Sequence, residues 1–174
     1  MTPDDWAEIN ENKKPKTYYD FTPLTLIDLM IIVSAAESPL MAVLFNLCYW
    51  TGIEIHYLLE MTYGDLTSVP EGILSIYYTY GIVSGVEISE SLQQMLAPYI
   101  GAQYDDEFLY THEDGSTWTP AYVDGEIEKI SQSTGIKFTA KTLRDSYYAA
   151  SVFNVIPAKS YGKRRKAMKE AMAA

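Results

Sequence analysis

Between Leu24 and Trp50 the chain is apolar at most positions, with Asp28, Glu37 and Pro39 as the interruptions. The run Thr25 to Glu37, TLIDLMIIVSAAE, is apolar on most faces of a helix, and Ser38-Pro39 restarts a second helix through LMAVLFNLCYW. Proline fits there because a first-turn residue loses no helical hydrogen bond by lacking its N–H. Two buried helices are expected. Thr51-Gly52 closes the second. IEIHYLLEMT then places Ile53, Ile55, Leu58, Leu59 and Met61 near the helical period, which predicts a third helix ended by Gly64-Asp65.

Beyond that point the period changes. Ile73 to Tyr78 and Ile82 to Ile88 are rich in β-branched and aromatic residues around a short turn at Gly81, which signals a hairpin. SESLQQMLAPYI opens on Ser89 and spaces Leu92, Leu96 and Ile100 for a helix. A turn at Asp114-Gly115 precedes a further helix, entered at Thr119-Pro120 and closed by Gly135. The last predicted core helix runs from Thr139 to about Phe153, and Pro157 separates it from a basic terminal helix. The first twenty residues, polar with Pro15 and a KKPK cluster, read as a leader or linker that packs little. These signals describe an α+β domain, mainly helical, with a small antiparallel hairpin or three-stranded sheet. The boundaries are 1–20 for the leader, 21–156 for the domain and 157–174 for the basic tail.

Composition narrows the class. A chain of 174 residues with 48% hydrophobic and 21% charged residues is long enough for one globular core without disulfides or metals. Cys48, the single cysteine, lies inside LFNLCYW and suits a buried thiol in an intracellular protein. The start, MTPDDWAEIN, has acid where a secretion signal carries base, and no uncharged segment reaches the roughly 18 residues a spanning helix needs. A cytoplasmic protein without membrane contact is expected.

Charge changes the picture more. The net charge is −10, and no lysine or arginine occurs from Thr17 through Glu128. The cations sit at the ends: Lys13, Lys14 and Lys16 before the body, and ten from Lys129 onward, densest in SYGKRRKAMKEAMAA. Nucleic-acid affinity rests mainly on cations neutralising phosphates, so the body should repel DNA and only the two ends attract it.

Two segments carry a family resemblance. TGIEIHYLLEMTYGDL, Thr51 to Leu66, resembles the first conserved box of tyrosine recombinases, the phage integrase family, in which a Thr-Gly turn starts a helix and an aromatic-x-Asp-hydrophobic run closes it. GIKFTAKTLRDSYYAAS, Gly135 to Ser151, resembles the second box, where a histidine is followed three residues later by an arginine and then by a helix of small and aromatic residues. The hairpin ILSIYYTYGIVSGVEIS and the loop and helix of FLYTHEDGSTWTPAYV fall between them in the family's order. The resemblance covers roughly Leu24 to Ser151 and implies the family's catalytic-domain fold.

It also implies a chemistry to check. In the family a tyrosine attacks a DNA phosphate while two arginines clamp its oxygens and a lysine and histidines move protons. Charge developing on the phosphate needs fixed cations, and the leaving sugar oxygen needs an acid. The first-box arginine corresponds here to Glu54, a reversal of charge. The hairpin lysine would fall near Tyr78 to Tyr80, and that hairpin has no lysine; the second-box histidine corresponds to Lys141. Arg144 alone stays in register. The only tyrosine beyond its helix is Tyr161, which follows too soon, and no histidine or tryptophan follows Trp118. The resemblance thus implies a relative that does not cut DNA, with Glu54, Tyr80, Lys141 and Arg144 lining a vestigial pocket.

A retained arginine more often pairs with an acid than binds a free phosphate, and Glu54 is the expected partner, in an internal ion pair. His56 and His112 have no third ligand in view, so both read as surface or capping residues, and neither a metal nor another cofactor is implied. Without interleaved cations, the fifteen tyrosines suit strand packing better than base stacking. Two functions remain open. One is a non-catalytic, DNA-associated regulator of recombination or transcription whose Lys13, Lys14, Lys16, Lys163, Arg164, Arg165 and Lys166 meet phosphates. The other is a protein-interaction or assembly module on the same scaffold without DNA binding, its tail docking on another copy or on an active recombinase.

Overall fold

The structure is a computed structural model that describes residues 22–78 and 83–153, the side chains of 83 and 149–153 excepted. The leader, the hairpin turn at Gly81 and the basic tail lie outside the described residues. Six α-helices and two strands are described: α1 (Leu26–Ala35), α2 (Pro39–Thr51), α3 (Ile55–Leu59), β1 (Ile73–Tyr77), β2 (Val83–Glu87), α4 (Glu90–Leu96), α5 (Pro120–Thr134) and α6 (Ala140–Phe153).

Local chemistry explains most helix ends. Thr25 and Asp28 form a reciprocal capping box at α1, while Ser38, Ser89 and Thr119 each accept a backbone N–H in the first turn of α2, α4 and α5. Gly52 (φ 67°) and Gly135 (φ 76°) close α2 and α5 in the left-handed region. Helix α2 is the centre of the domain: it buries nine side chains, from Met41 to Thr51, and packs against α1, α3, α4 and α6. The edge of the Phe45 ring meets Phe138 at 6.0 Å between centroids.

The sheet is a two-stranded antiparallel hairpin with Ile73 opposite Glu87 and Tyr77 opposite Val83. Along β1 the period of two turns Leu74 and Ile76 into the core. Among the described residues no third strand joins it. Short bridges, Thr62 with Phe108 and Thr111 with Thr117, hold the loops beside it.

Two expectations need correction. The third helix stops at Leu59, because Met61 offers its carbonyl to Leu109 and Thr62 bridges Phe108; the chain leaves the helical path and re-forms as a 3-10 turn over Tyr63–Leu66. Helix α1 is not buried all round. It sinks Leu29 and Ile32 into the core and exposes Leu26, Ile27, Met30 and Ile31, because its neighbours among the described residues cover only one of its faces. Among the described residues no helix is long and apolar enough to cross a membrane.

Candidate functional site

The C-terminal end of α2 and the first two turns of α6 build the site. Gly52 turns the chain in the left-handed region, Ile53 buries, and Glu54 stands at the N-cap of α3 with extended backbone. Helix α6 runs beside α2. Its Tyr148 hydroxyl donates to the Gly52 carbonyl at 3.2 Å, and the Tyr147 ring lies against Gly52 where a Cβ would stand. These contacts hold the two family-like segments together, although Glu54 and Arg144 lie ninety residues apart.

Arg144 Nη1 donates to Glu54 Oε1 at 2.8 Å, so the expected ion pair is present. It is less internal than expected, since the side chains remain 25% (Arg144) and 44% (Glu54) exposed. A second carboxylate shares the guanidinium: Asp145 Oδ1 accepts from Nε at 2.8 Å and lies 2.7 Å from Nη2. Of the five N–H donors a guanidinium carries, those on all three nitrogens have a carboxylate to face. Partial burial alone would lower the Arg144 pKa, but the hydrogen bond to Asp145 and the charges of Asp145 and Glu54 raise it above its ordinary value.

An aromatic chain extends from the pair to the hairpin. His56 Nδ1 is 3.2 Å from Glu54 Oε2, the His56 ring lies 3.9 Å from that of Tyr57, and Tyr57 meets Tyr78 edge-on at 4.8 Å. Cys48 lies fully buried behind the site, its thiol donating to the Ala140 carbonyl at 3.7 Å. Burial pushes that thiol well above the usual range, and the Arg144 charge only partly opposes it.

The sequence-derived residues divide clearly. Glu54 and Arg144 meet. Lys141 lies about one turn before Arg144 on α6 with an exposed side chain. Tyr80 lies outside the described residues, as do Lys13, Lys14, Lys16, Lys163, Arg164, Arg165 and Lys166. Asp145, Tyr148 and Tyr57 join the site unforeseen, and Tyr78 joins it from the stretch Tyr78 to Tyr80 named for the hairpin lysine; for Tyr148 the signal was its placement four residues after Arg144 on one helix. His112 stacks with Trp118 and Tyr122 in a separate aromatic cluster. Among the described residues no group of three His, Cys, Asp or Glu side chains converges to hold a metal ion.

The surrounding charge is negative. The described residues carry seventeen carboxylates against Lys129, Lys137, Lys141 and Arg144, and Lys129 is itself bonded to Glu126 at 3.0 Å. A phosphate approaching Arg144 therefore meets a guanidinium outnumbered by its own partners.

No protein-family profile matches the chain, and no curated protein matches it in sequence. Solved structures do match in fold. XerA recombinase superposes with a TM-score of 0.65 at 17% identity over 79% of this chain, and the integrase from mycobacterium phage Brujita with 0.66 at 13% over 92%. A lambda integrase dimer bound to a COC' core site gives 0.57 at 15% over 81%. The chain spans 54%, 60% and 56% of those three chains. Its mainly helical domain with a small antiparallel sheet therefore has the catalytic-domain-like fold of tyrosine recombinases, as the two sequence boxes implied.

Proposed function

We propose that this is a non-catalytic, integrase-like protein that acts around DNA as a regulator of recombination or transcription. The observation that carries the first half is the ion pair itself. Where the family resemblance calls for the first-box arginine stands Glu54, which binds Arg144, and Asp145 takes up further donors of the same guanidinium. Transition-state stabilisation at a phosphate needs cations aimed at the developing charge, and a carboxylate in that place works against it. The lack of a lysine in the hairpin supports the same reading.

DNA association rests on the fold and on the terminal cations. Lys13, Lys14 and Lys16 at one end and Lys163 to Lys166 at the other are the phosphate contacts, the acidic body adding none. A second reading is favoured by that same body: seventeen carboxylates against four cations suit a contact surface for a basic protein better than for DNA. The leader, domain and tail boundaries at 20 and 156 belong to this proposal.

A gel shift on duplex DNA at low and moderate salt, run beside a covalent-adduct assay on nicked duplex, tests it. Expected are no covalent adduct and a salt-steep shift lost when Lys163, Arg164, Arg165 and Lys166 are changed to glutamine. If those four side chains each neutralise a phosphate, a fourfold rise in salt weakens binding by roughly a hundredfold. An adduct overturns the non-catalytic half. No shift even at low salt overturns the DNA half in favour of the assembly module.

A further inference from the structure

Two Asp-Gly pairs occur in the chain, Asp114-Gly115 and Asp124-Gly125. In this dipeptide an aspartate side chain closes readily on the next backbone nitrogen, since glycine has no Cβ to shield that atom and rotates freely. The structure places the two in opposite settings. Asp124-Gly125 lies within α5, where the helical backbone is held turn by turn. Asp114-Gly115 lies at the tip of the loop between Thr111 and Thr117, with both residues exposed to water. Hydrogen bonds, not burial, restrain it.

We propose that Asp114 is a latent isoaspartate site, kept unmodified in the folded protein by Ser116. The loop is a short hairpin turn. The His112 N–H donates to the Ser116 carbonyl at 2.8 Å, the Gly115 N–H donates to the His112 carbonyl at 2.9 Å, and Gly115 takes φ 87°. Inside it, Asp114 Oδ1 accepts from the Ser116 N–H at 2.9 Å and from the Ser116 hydroxyl. Both groups that ring closure needs are therefore engaged, the carboxyl by Ser116 and the Gly115 N–H by His112. The bonds from Ser116, the hydroxyl's first, hold the Asp114 carboxyl below the usual carboxylate range, which keeps it in the ionised form that does not expel oxygen.

The modification needs no reagent but water. The Gly115 nitrogen bonds to Cγ of Asp114 in its acid form, the Cγ–OH bond breaks, and the hydroxyl and the amide proton leave as water, giving a cyclic imide. A second water then opens the imide. Cleavage of the new N–Cγ bond restores aspartate, whereas cleavage of the original backbone C–N bond leaves the chain running through Cγ, as isoaspartate of unchanged mass. The backbone of the loop gains a methylene. Its closing bridge, Thr111 with Thr117, and the packing of the His112 ring on Trp118 and Tyr122 then lose their register.

Ageing of the full chain at neutral pH tests this, with chymotryptic peptides separated by chromatography and isoaspartate identified by enzymatic carboxyl methylation. Cleavage after Tyr110, Trp118 and Tyr122 puts the two Asp-Gly pairs on different peptides. A synthetic peptide of the sequence THEDGSTW gives the unrestrained rate. Asp114 in the folded chain should isomerise roughly tenfold more slowly than in that peptide, the factor expected when a hydrogen bond to a charged group must break first. Ser116→Ala should raise the rate several-fold towards the peptide's, and Ser116→Thr, which keeps the hydroxyl, should not. Asp124 should stay slow throughout as the report of an intact α5. If Asp124 speeds up in Ser116→Ala, Ser116→Cys, of similar size and a weaker donor, replaces that variant. Three results overturn the proposal: equal rates in folded chain and peptide, a Ser116→Ala rate no faster than that of the unchanged chain, or a Ser116→Thr rate as fast as that of Ser116→Ala.

Discussion

Replacing Gly52 by alanine tests the packing that builds the site. Gly52 has φ 67°, and a Cβ there would lie inside the van der Waals envelope of the Tyr147 ring. Two costs follow. Holding an L-residue in the left-handed region costs about 1–2 kcal/mol, and displacing a packed ring costs about 1–3 kcal/mol. A central value of about 3 kcal/mol lowers the thermal midpoint by roughly 6–12 °C in a chain of this size. The assay is urea and thermal unfolding followed by far-ultraviolet circular dichroism on Gly52→Ala, Tyr147→Ala and the double variant. In the Tyr147→Ala background only the backbone cost, about 1–2 kcal/mol, should remain. Equal costs in both backgrounds, within about 0.5 kcal/mol, would refute the close approach of α6 to the α2 turn. A total below about 1 kcal/mol would refute the left-handed turn itself.

Three further outcomes are expected. Glu54→Gln should cost less than about 1 kcal/mol, since the pair is part-exposed and Asp145 keeps the guanidinium, whereas Asp145→Ala at a 12% exposed side chain should cost more; unfolding that ranks them the other way contradicts the assigned geometry. Tyr110 is fully buried and its hydroxyl has no partner among the described residues, so Tyr110→Phe should be neutral or stabilise by about 1 kcal/mol, and a loss of that size in a chemical melt would reveal a partner for the hydroxyl. Cys48, fully buried with its pKa raised first by desolvation, should resist an aromatic disulfide reagent in the folded state and react at once in denaturant; rapid reaction of the native protein would place it elsewhere.

Helix ends were legible because their causes are local. Thr25, Ser38, Ser89 and Thr119 cap within three residues of themselves, and Gly52 and Gly135 stop helices by their own backbone freedom. The third helix was over-read for the opposite reason. Its apolar period continues to Met61, but the bonds that end it come from Leu109 and Phe108, far along the chain. The pairing of Glu54 with Arg144 was legible only through the register of two family-like segments. Nothing in either segment alone states the distance between them.

What the amino-acid order determined by itself was the class of the domain, the starts and stops of most helices and the confinement of cations to the ends. Each depends on residues close in sequence or on composition alone. Tertiary structure decided which faces are covered. It left the ion pair part-exposed, brought Asp145, Tyr148, Tyr57 and Tyr78 around it, and buried Cys48 behind it. It also left Leu26, Ile27, Met30 and Ile31 open on a helix whose sequence reads as apolar nearly all round. An apolar pattern states that burial is favourable, and only the placement of neighbours determines which residues receive it.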